Sequence, residues 1–486
     1  MATEFALLSP QQKGLPPDWR AGRLSDVAAL NPDQITTATH LERIAYVDIS
    51  CVSRGQISKP VDIPLSEAPS RARRLVRAGD TILSTVRPGN RAYAFIRSPP
   101  KNLVCSTGFV VLRARQGSAD PRFIYFLTSS ERVIQHLAVI AEKQTAYPSV
   151  TAKDVGECTV VIPPLPEQRA IARVLGTLDD EIVSRMGQSK GLRRVFDHLM
   201  RHLLDGSWSV HEGESWLREV RPLVQAYDDK IELNRRMNQT LEEICRALFK
   251  FWFVDFGPVR AKAEGRWKKG ESLPGMPADM WDFWPSEFEE SEIGEIPKGW
   301  RVGSIYEIAV VRYGAPYASG LFAPSGMGRP LIRIRDLQTH APEIDTTERH
   351  PRDVTVQGGD VIVGMDGEFH VSHWTGPTSV LNQRLCKFEP KSGIPTSFVR
   401  YSIEGHIAFF ERAKVGTTVV HLGKAEIDTM EVLFPTRAIL EAYGRIAGPH
   451  SNLIVSNAAE VRSLGETRDV LLPKLLSGEI RVKVDS

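Results

Sequence analysis

Cysteine is scarce. The chain has five in 486 residues (Cys51, Cys105, Cys158, Cys245 and Cys386), odd in number and scattered. No CxxC or Cys…His ligand spacing exists, which argues for reduced thiols rather than disulfides or zinc. No apolar run approaches the roughly 18 residues that a membrane span needs. The opening MATEFALLSPQQKGLPPDW lacks a basic stretch followed by an apolar core, so no signal peptide is expected. These absences predict a soluble, cytoplasmic protein with no membrane partner. Catalytic signatures are equally scarce. The string nearest to a phosphate-cradling loop, GTTVVHLGKA (416–425), has six residues between its glycines and alanine where Ser or Thr is required. No GxGxxG follows a strand, and no GxSxG is present. HVSH (370–373) reads as a strand histidine pair rather than a metal site. Asp360, Asp366 and Glu368 loosely resemble a nuclease cluster, but Phe369 and His370 stand where lysine would follow, and Asp360 reads as a turn residue. No catalytic residue and no metal ligand is expected. The pattern favours a binding protein.

What is there is ordinary in bulk and informative in order. Hydrophobic residues make up 42% and charged residues 25%, enough to bury real cores. LPPDWRAGRLSDVAAL (15–30) matches IPKGWRVGSIYEIAVV (296–311), with Trp19 and Trp300 standing 281 residues apart. IAYVDISCV (44–52) then matches PLIRIRDLQ (330–338) as an alternating strand. LVRAGDTILSTVRPGN (75–90) matches VTVQGGDVIVGMDGEF (354–369) through Gly79-Asp80 and Gly359-Asp360. Pro121–Tyr125 parallels Thr396–Tyr401 at the start of a helix, and 145–164 parallels 417–435. A period this long is no solenoid. It predicts two copies of one α+β domain.

Between and after the copies the chain reads as helix. Ile171, Leu175, Leu178, Ile182, Leu192, Phe196, Leu199 and Leu203 form a heptad-like stripe over 167–206. Residues 227–256 form a second helix, in which Asn234 and Asn238 occupy seam positions where a polar group fixes register at a cost in stability. LREVRPLVQAYDDKIELNRR (217–236) resembles 167–185, an apparent extra helical unit, with 206–216 as its connection and Pro222 in a first helical turn. The last helix carries Leu440, Tyr443, Ile454, Val461, Leu464, Leu471 and Leu475, with a kink or break expected at Gly448-Pro449. The expected segments are therefore 1–166 (first domain), 167–256 (central helices), 257–295 (an irregular linker pinned by its tryptophans), 296–435 (second domain) and 436–486 (distal helix).

Residues 71–115 hold ten Lys/Arg against Asp80 alone. Such a stretch neutralises phosphates with counterion release, and arginine also forks onto guanine O6 and N7. The second copy is less one-sided, with 12 Lys/Arg and 11 Asp/Glu from Arg329 to Lys424. Two matching helix-to-strand loops, 142–151 and 414–424, offer lysine, hydroxyls and rings suited to phosphates and base edges. The residues selected for DNA contact are Arg87, Asn90, Arg91, Lys143, Gln144, Tyr147 and Ser149 in the first copy. In the second they are Arg384, Lys414, Thr417, His421 and Lys424. Two other readings stay open. One is a protein-binding adaptor whose basic stretch is only a solvated face; its DNA affinity would hardly respond to salt. The other is a self-sufficient enzyme, which the missing motifs disfavour.

Several strings in combination resemble the specificity subunit of type I restriction–modification systems. They are PPLPEQRAIARVLGTLDDEI (163–182), DDKIELNRRMNQTLEEICRALFKFWFVDFGPVRAK (228–262), LLPKLLSGEIRV (471–482) and the pair PPDWR and PKGWR. The resemblance spans essentially the whole chain. It implies two target recognition domains separated by long, antiparallel, coiled-coil-like helices, each domain reading one half of a split double-stranded DNA target. It implies no catalysis and no cofactor in this chain. Two adenine methyltransferase subunits using S-adenosylmethionine, and motor–nuclease subunits using ATP and magnesium, are the implied partners. The helices would act as the ruler between half-sites. Three departures bear on that: the extra central unit, Gly448-Pro449, and the loss of EQRAIA from the distal helix.

Overall fold

The computed structural model describes residues 15–36, 39–143, 148–184, 190–367, 369–413, 421–476 and 479. The chain divides into two compact units, Met1–Asp228 with Thr467–Ser486, and Asp229–Glu466.

In the first unit Arg20–Arg23 pairs antiparallel with Thr159–Ile162, tying the start of the module to its end. One antiparallel sheet runs in the order Ala28–Leu30, Phe109–Ala114, Thr81–Ser84, Tyr93–Phe95. A second runs Val61–Pro64, Arg43–Val47, Leu103–Ser106, Ala72–Leu75, with Leu103–Ser106 parallel to Arg43–Val47. Helices Pro121–Ser129 and Glu131–Glu142 follow. Each starts on a side-chain cap: Asp120 accepts the N–H groups of Arg122 and Phe123, and Ser130 that of Val133.

The second unit repeats this order. Arg301–Ser304 pairs with Glu431–Phe434. Its first sheet runs Ala309–Tyr313, Leu385–Pro390, Val361–Gly364, Val371–His373. Its second runs Ile344–Thr346, Arg329–Ile332, Ser379–Leu381, Thr355–Val356, again with one parallel pair, Arg329–Ile332 with Ser379–Leu381. Phe322–Pro324 is added at the edge of that sheet. The repeat expected from the sequence is therefore a repeat of topology. The Gly-Asp turns agree in detail. Gly79 and Gly359 both take positive φ (+87° and +99°), a conformation that glycine adopts without the Cβ penalty. Asp80 and Asp360 accept the N–H of Arg77 (2.8 Å) and Gln357 (2.7 Å).

Between and after the modules the described helices are α1 (Leu165–Ser184), α2 (Lys190–Asp205), α3 (Val210–Phe249) and α4 (Arg437–Leu476); within the second module lies a further long helix, Thr396–Ala413. All eight residues of the stripe expected on α1 and α2 are buried. α3 departs from expectation. It begins at Val210, well before Tyr227, because Ser209 and Glu212 form a reciprocal cap (2.7 and 3.2 Å). Pro222 therefore lies inside the helix and not in a first turn. The proline is exposed, so the carbonyl left without a donor faces water. The break expected at Gly448-Pro449 is likewise absent, and α4 runs through it. Pro449 is on an exposed face, and the His450 Nδ1 donates to the Ile446 carbonyl at 2.8 Å, supplying a bond beside the missing one.

In the second unit α3 and α4 pack antiparallel. Asn234 Nδ2 donates to Glu460 (2.8 Å). Asn238 donates to the Ile454 carbonyl (3.0 Å) and accepts from Asn457 (2.9 Å). The two seam asparagines thus pair with polar partners at fixed heights on α4, as a register device requires. In the first unit the end of α4 meets α2 and α3 at a buried ion pair, Arg468–Asp228 at 2.6 Å. Asp228 also accepts the Leu192 N–H at 3.2 Å. After α3, a π-helical turn (Lys250–Val254) buries Trp252 and Phe253. The stretch 257–295 is more regular than expected: helix Gly257–Ala263 and a hairpin of Phe288–Ser291 with Gly294–Pro297. Trp267 and Trp284 pin it into the second unit's core with Trp252 and Trp300.

Candidate nucleic-acid interface

The first module's basic stretch is less naked than its composition. Five of its ten cations are paired with carboxylates, four of them with acids outside the stretch only. Arg71 meets Asp48 (2.5 Å), Arg77 meets Asp33 (2.8 Å) and Arg91 meets Glu131 (2.7 Å). Arg97 meets Asp179 and Asp180, and Arg113 meets both Asp33 and Asp80 (2.7 Å each). Hydrogen bonds from Arg113 lead the causes that hold the Asp33 carboxyl below its ordinary range. Arg87 and Lys101 have no carboxylate partner among the described residues.

Arg87 sits at a corner. The chain leaves strand Thr81–Ser84, and Val86 forms a lone antiparallel bridge with Ser149. The Arg87 N–H donates to the Pro148 carbonyl at 2.9 Å. Arg87 is exposed and takes φ 45°. A bulky residue rarely holds this left-handed backbone, which costs about 1–2 kcal/mol. Pro88–Asn90 then forms a short turn whose Gly89 lies against Ala138 of helix Glu131–Glu142, with Asn90 exposed. Lys143 is exposed at the end of that helix. The structure thus gathers Arg87, Asn90, Lys143 and Ser149 around one edge. Arg91 is at the same place but held by Glu131, its side chain 30% exposed. Gln144 and Tyr147 lie outside the described residues.

The second module has the same corner. Asp366 forms the lone bridge with His421. One Asp366 oxygen is 2.5 Å from His421 Nδ1, and the other accepts from Arg384 Nη1. Burial pushes this carboxyl up, but the hydrogen bonds from His421 and Arg384 outweigh it, and the group stays below its ordinary range. Arg384 is 61% exposed and His421 50%. Lys424 is turned back onto Asp428 at 2.7 Å. Lys414 and Thr417 lie outside the described residues.

Asp366 was not among the residues selected for DNA contact. A signal for it existed: counting on from the matched Gly-Asp turns sets Val86 against Asp366 and Arg87 against Gly367. Within HVSH, Val371–His373 form a strand with His373 buried, and His370 lies just before it. Asp360 is a turn residue, paired with Lys387 at 2.8 Å. Among the described residues no group of three or more His, Cys, Asp or Glu is placed to hold a metal ion. No helix among the described residues is long and apolar enough to cross a membrane.

Residues 16–189 match the family model of the type I restriction modification DNA specificity domain. The chain is similar to the specificity subunit of the HindI type I restriction enzyme of Haemophilus influenzae, 23% identical over 95% of this chain and 100% of that one. It is also similar to the EcoBI specificity subunit of Escherichia coli, 30% identical over 29% of this chain and 30% of that one. A solved type I restriction–modification S subunit from M. genitalium is 13% identical, covering 96% of this chain and 97% of that chain with a TM-score of 0.44. With a specificity domain matched in its first module, the same topology repeated in its second, and likeness to a specificity subunit along its length, the chain is similar to the specificity subunits of type I restriction–modification systems.

Proposed function

We propose that this chain is the non-catalytic reader of a split DNA target, each module taking one half-site. The observation that carries this is the duplicated corner, which offers one exposed arginine on each module, Arg87 and Arg384. Arginine fits guanine bidentately in the major groove, and two different corners suit two different half-sites. The chain's own residues supply the reading. Adenine methyltransferase subunits, using S-adenosylmethionine, and motor–nuclease subunits, using ATP and magnesium, supply the chemistry. Docking of the methyltransferase is proposed on the solvent face of α3, where Leu233, Met237 and Ile244 are exposed at spacings of four and seven (53%, 37% and 43%).

The test is to map methylated adenines in a genome with and without this gene. The expected result is one bipartite motif that disappears with the gene. A continuous motif would refute the split reading, and an unchanged methylation map would refute the function. Methyl transfer by the purified chain alone would refute the absence of catalysis.

A further inference from the structure

The duplicated corner carries different chemistry in its two copies, and the backbone shows where. The Thr85 N–H donates to the Gly108 carbonyl (2.8 Å), and the Val150 N–H to the Thr85 carbonyl (2.9 Å). The Met365 N–H donates to the Arg384 carbonyl (3.0 Å), and the Leu422 N–H to the Met365 carbonyl (2.7 Å). The same bonds at the same strand ends set four positions in correspondence. Val86 answers to Asp366, Arg87 to Gly367, Gly108 to Arg384 and Ser149 to His421. Gly367 keeps the positive φ (73°) that Arg87 holds at 45°. Each corner therefore has one exposed arginine, reached from a different strand, and only in the second is that arginine held by a carboxylate; in the first, Glu131 holds the less exposed Arg91.

That carboxylate is placed to orient rather than to stabilise. A pair whose arginine is 61% exposed adds little to folding. Asp366 itself is only 18% exposed, and its two oxygens are taken by different partners, Arg384 and His421. Holding the carboxylate from both sides fixes its plane. It then fixes the guanidinium, because an arginine–carboxylate contact is directional. A long side chain so held loses less freedom when its remaining donors meet a base.

We infer that Asp366 is a positioning residue for base recognition: braced by His421, it presents Arg384 to a guanine in the half-site that the second module reads. The inference rests on the proposed reading of a split target. It assigns the first module's arginine, Arg87, to the other half-site without such a clamp.

The experiment maps methylated adenines in cells carrying the full system with wild-type chain, Asp366→Asn, Arg384→Ala or Arg384→Lys. The expected result is that Asp366→Asn and Arg384→Ala relax the same single guanine, by about tenfold to a hundredfold, with every other position kept. Lysine lacks the fork and should not restore it. A motif unchanged in Asp366→Asn overturns the inference. So does uniform loss across all positions, the mark of a merely structural role, or relaxation of different positions by the two variants. His421→Gln, at a half-exposed site, serves as a second variant if Asp366→Asn fails to accumulate, and it must relax that same position. Absence of any gene-dependent motif in the wild type would instead fail the functional reading itself.

Discussion

Arg87 is the residue where the backbone conformation conflicts with the proposed base reading. Its left-handed φ of 45° suits glycine, and the second module has Gly367 there. Arg87→Gly should therefore leave stability within about 1 kcal/mol of the wild type, strain relief offsetting the entropy that glycine loses on folding. The N–H to Pro148 is kept in the variant. Methylation should lose its preference at one position of a single half-site. Thermal unfolding checks the first expectation and motif mapping the second; a loss of several kcal/mol would show that the side chain is structural. At this scale the sequence was only partly legible. Arg87 and Arg384 were selected from charge and loop position, and the structure leaves both exposed. Asp366 was not selected, because its contacts with Arg384 and His421 depend on two strand ends meeting, which local pattern does not show. Arg91 looked as available as Arg87, yet its partner Glu131 is forty residues away.

The helices read well from sequence where packing alone decides, as on α1 and α2, where every expected stripe residue is buried. They read poorly where a breaker is tolerated. Pro222 and Pro449 both lie on exposed faces, so water satisfies what the helix loses, and no local rule distinguishes that from a break. Polar groups inside the helical contacts make a sharper prediction. In the first unit Arg468 and Asp228 are each less than a tenth exposed and 2.6 Å apart. Arg468→Ala leaves a buried carboxylate without its cation and should cost about 3–5 kcal/mol. The double variant Asp228→Leu with Arg468→Met removes both charges and should recover most of that loss. Denaturant unfolding of the singles and the double closes the cycle. Additive costs would mean that the pair contributes no coupling.

At the scale of the whole molecule, net charge says little, since +2 conceals many local ion pairs. Acid response is more telling. In the second unit burial pushes His340 and His373 down to about 4. The surroundings agree. The His340 Nδ1 accepts the Thr375 N–H at 3.2 Å, which an imidazolium nitrogen cannot do. Arg400 faces both rings, Arg462 and His370 lie near His340, and Glu242 opposes them near His373. Both histidines are thus neutral when folded, whereas in the unfolded chain they take up protons near 6.5. As pH falls, the unfolded state binds protons first, so stability is full above about 6.5 and declines as pH approaches 4. Each histidine contributes on the order of 3 kcal/mol when the loss is complete. Glu242, Asp353 and Asp366 in the same unit sit below their ordinary values, so their own losses begin lower and do not mask this window. Thermal unfolding should show a midpoint that falls between pH 7 and pH 5. In His340→Gln, where an amide oxygen can accept from Thr375 without titrating, that fall should be visibly shallower. An equal slope in wild type and variant would mean that His340 is protonated in the folded protein.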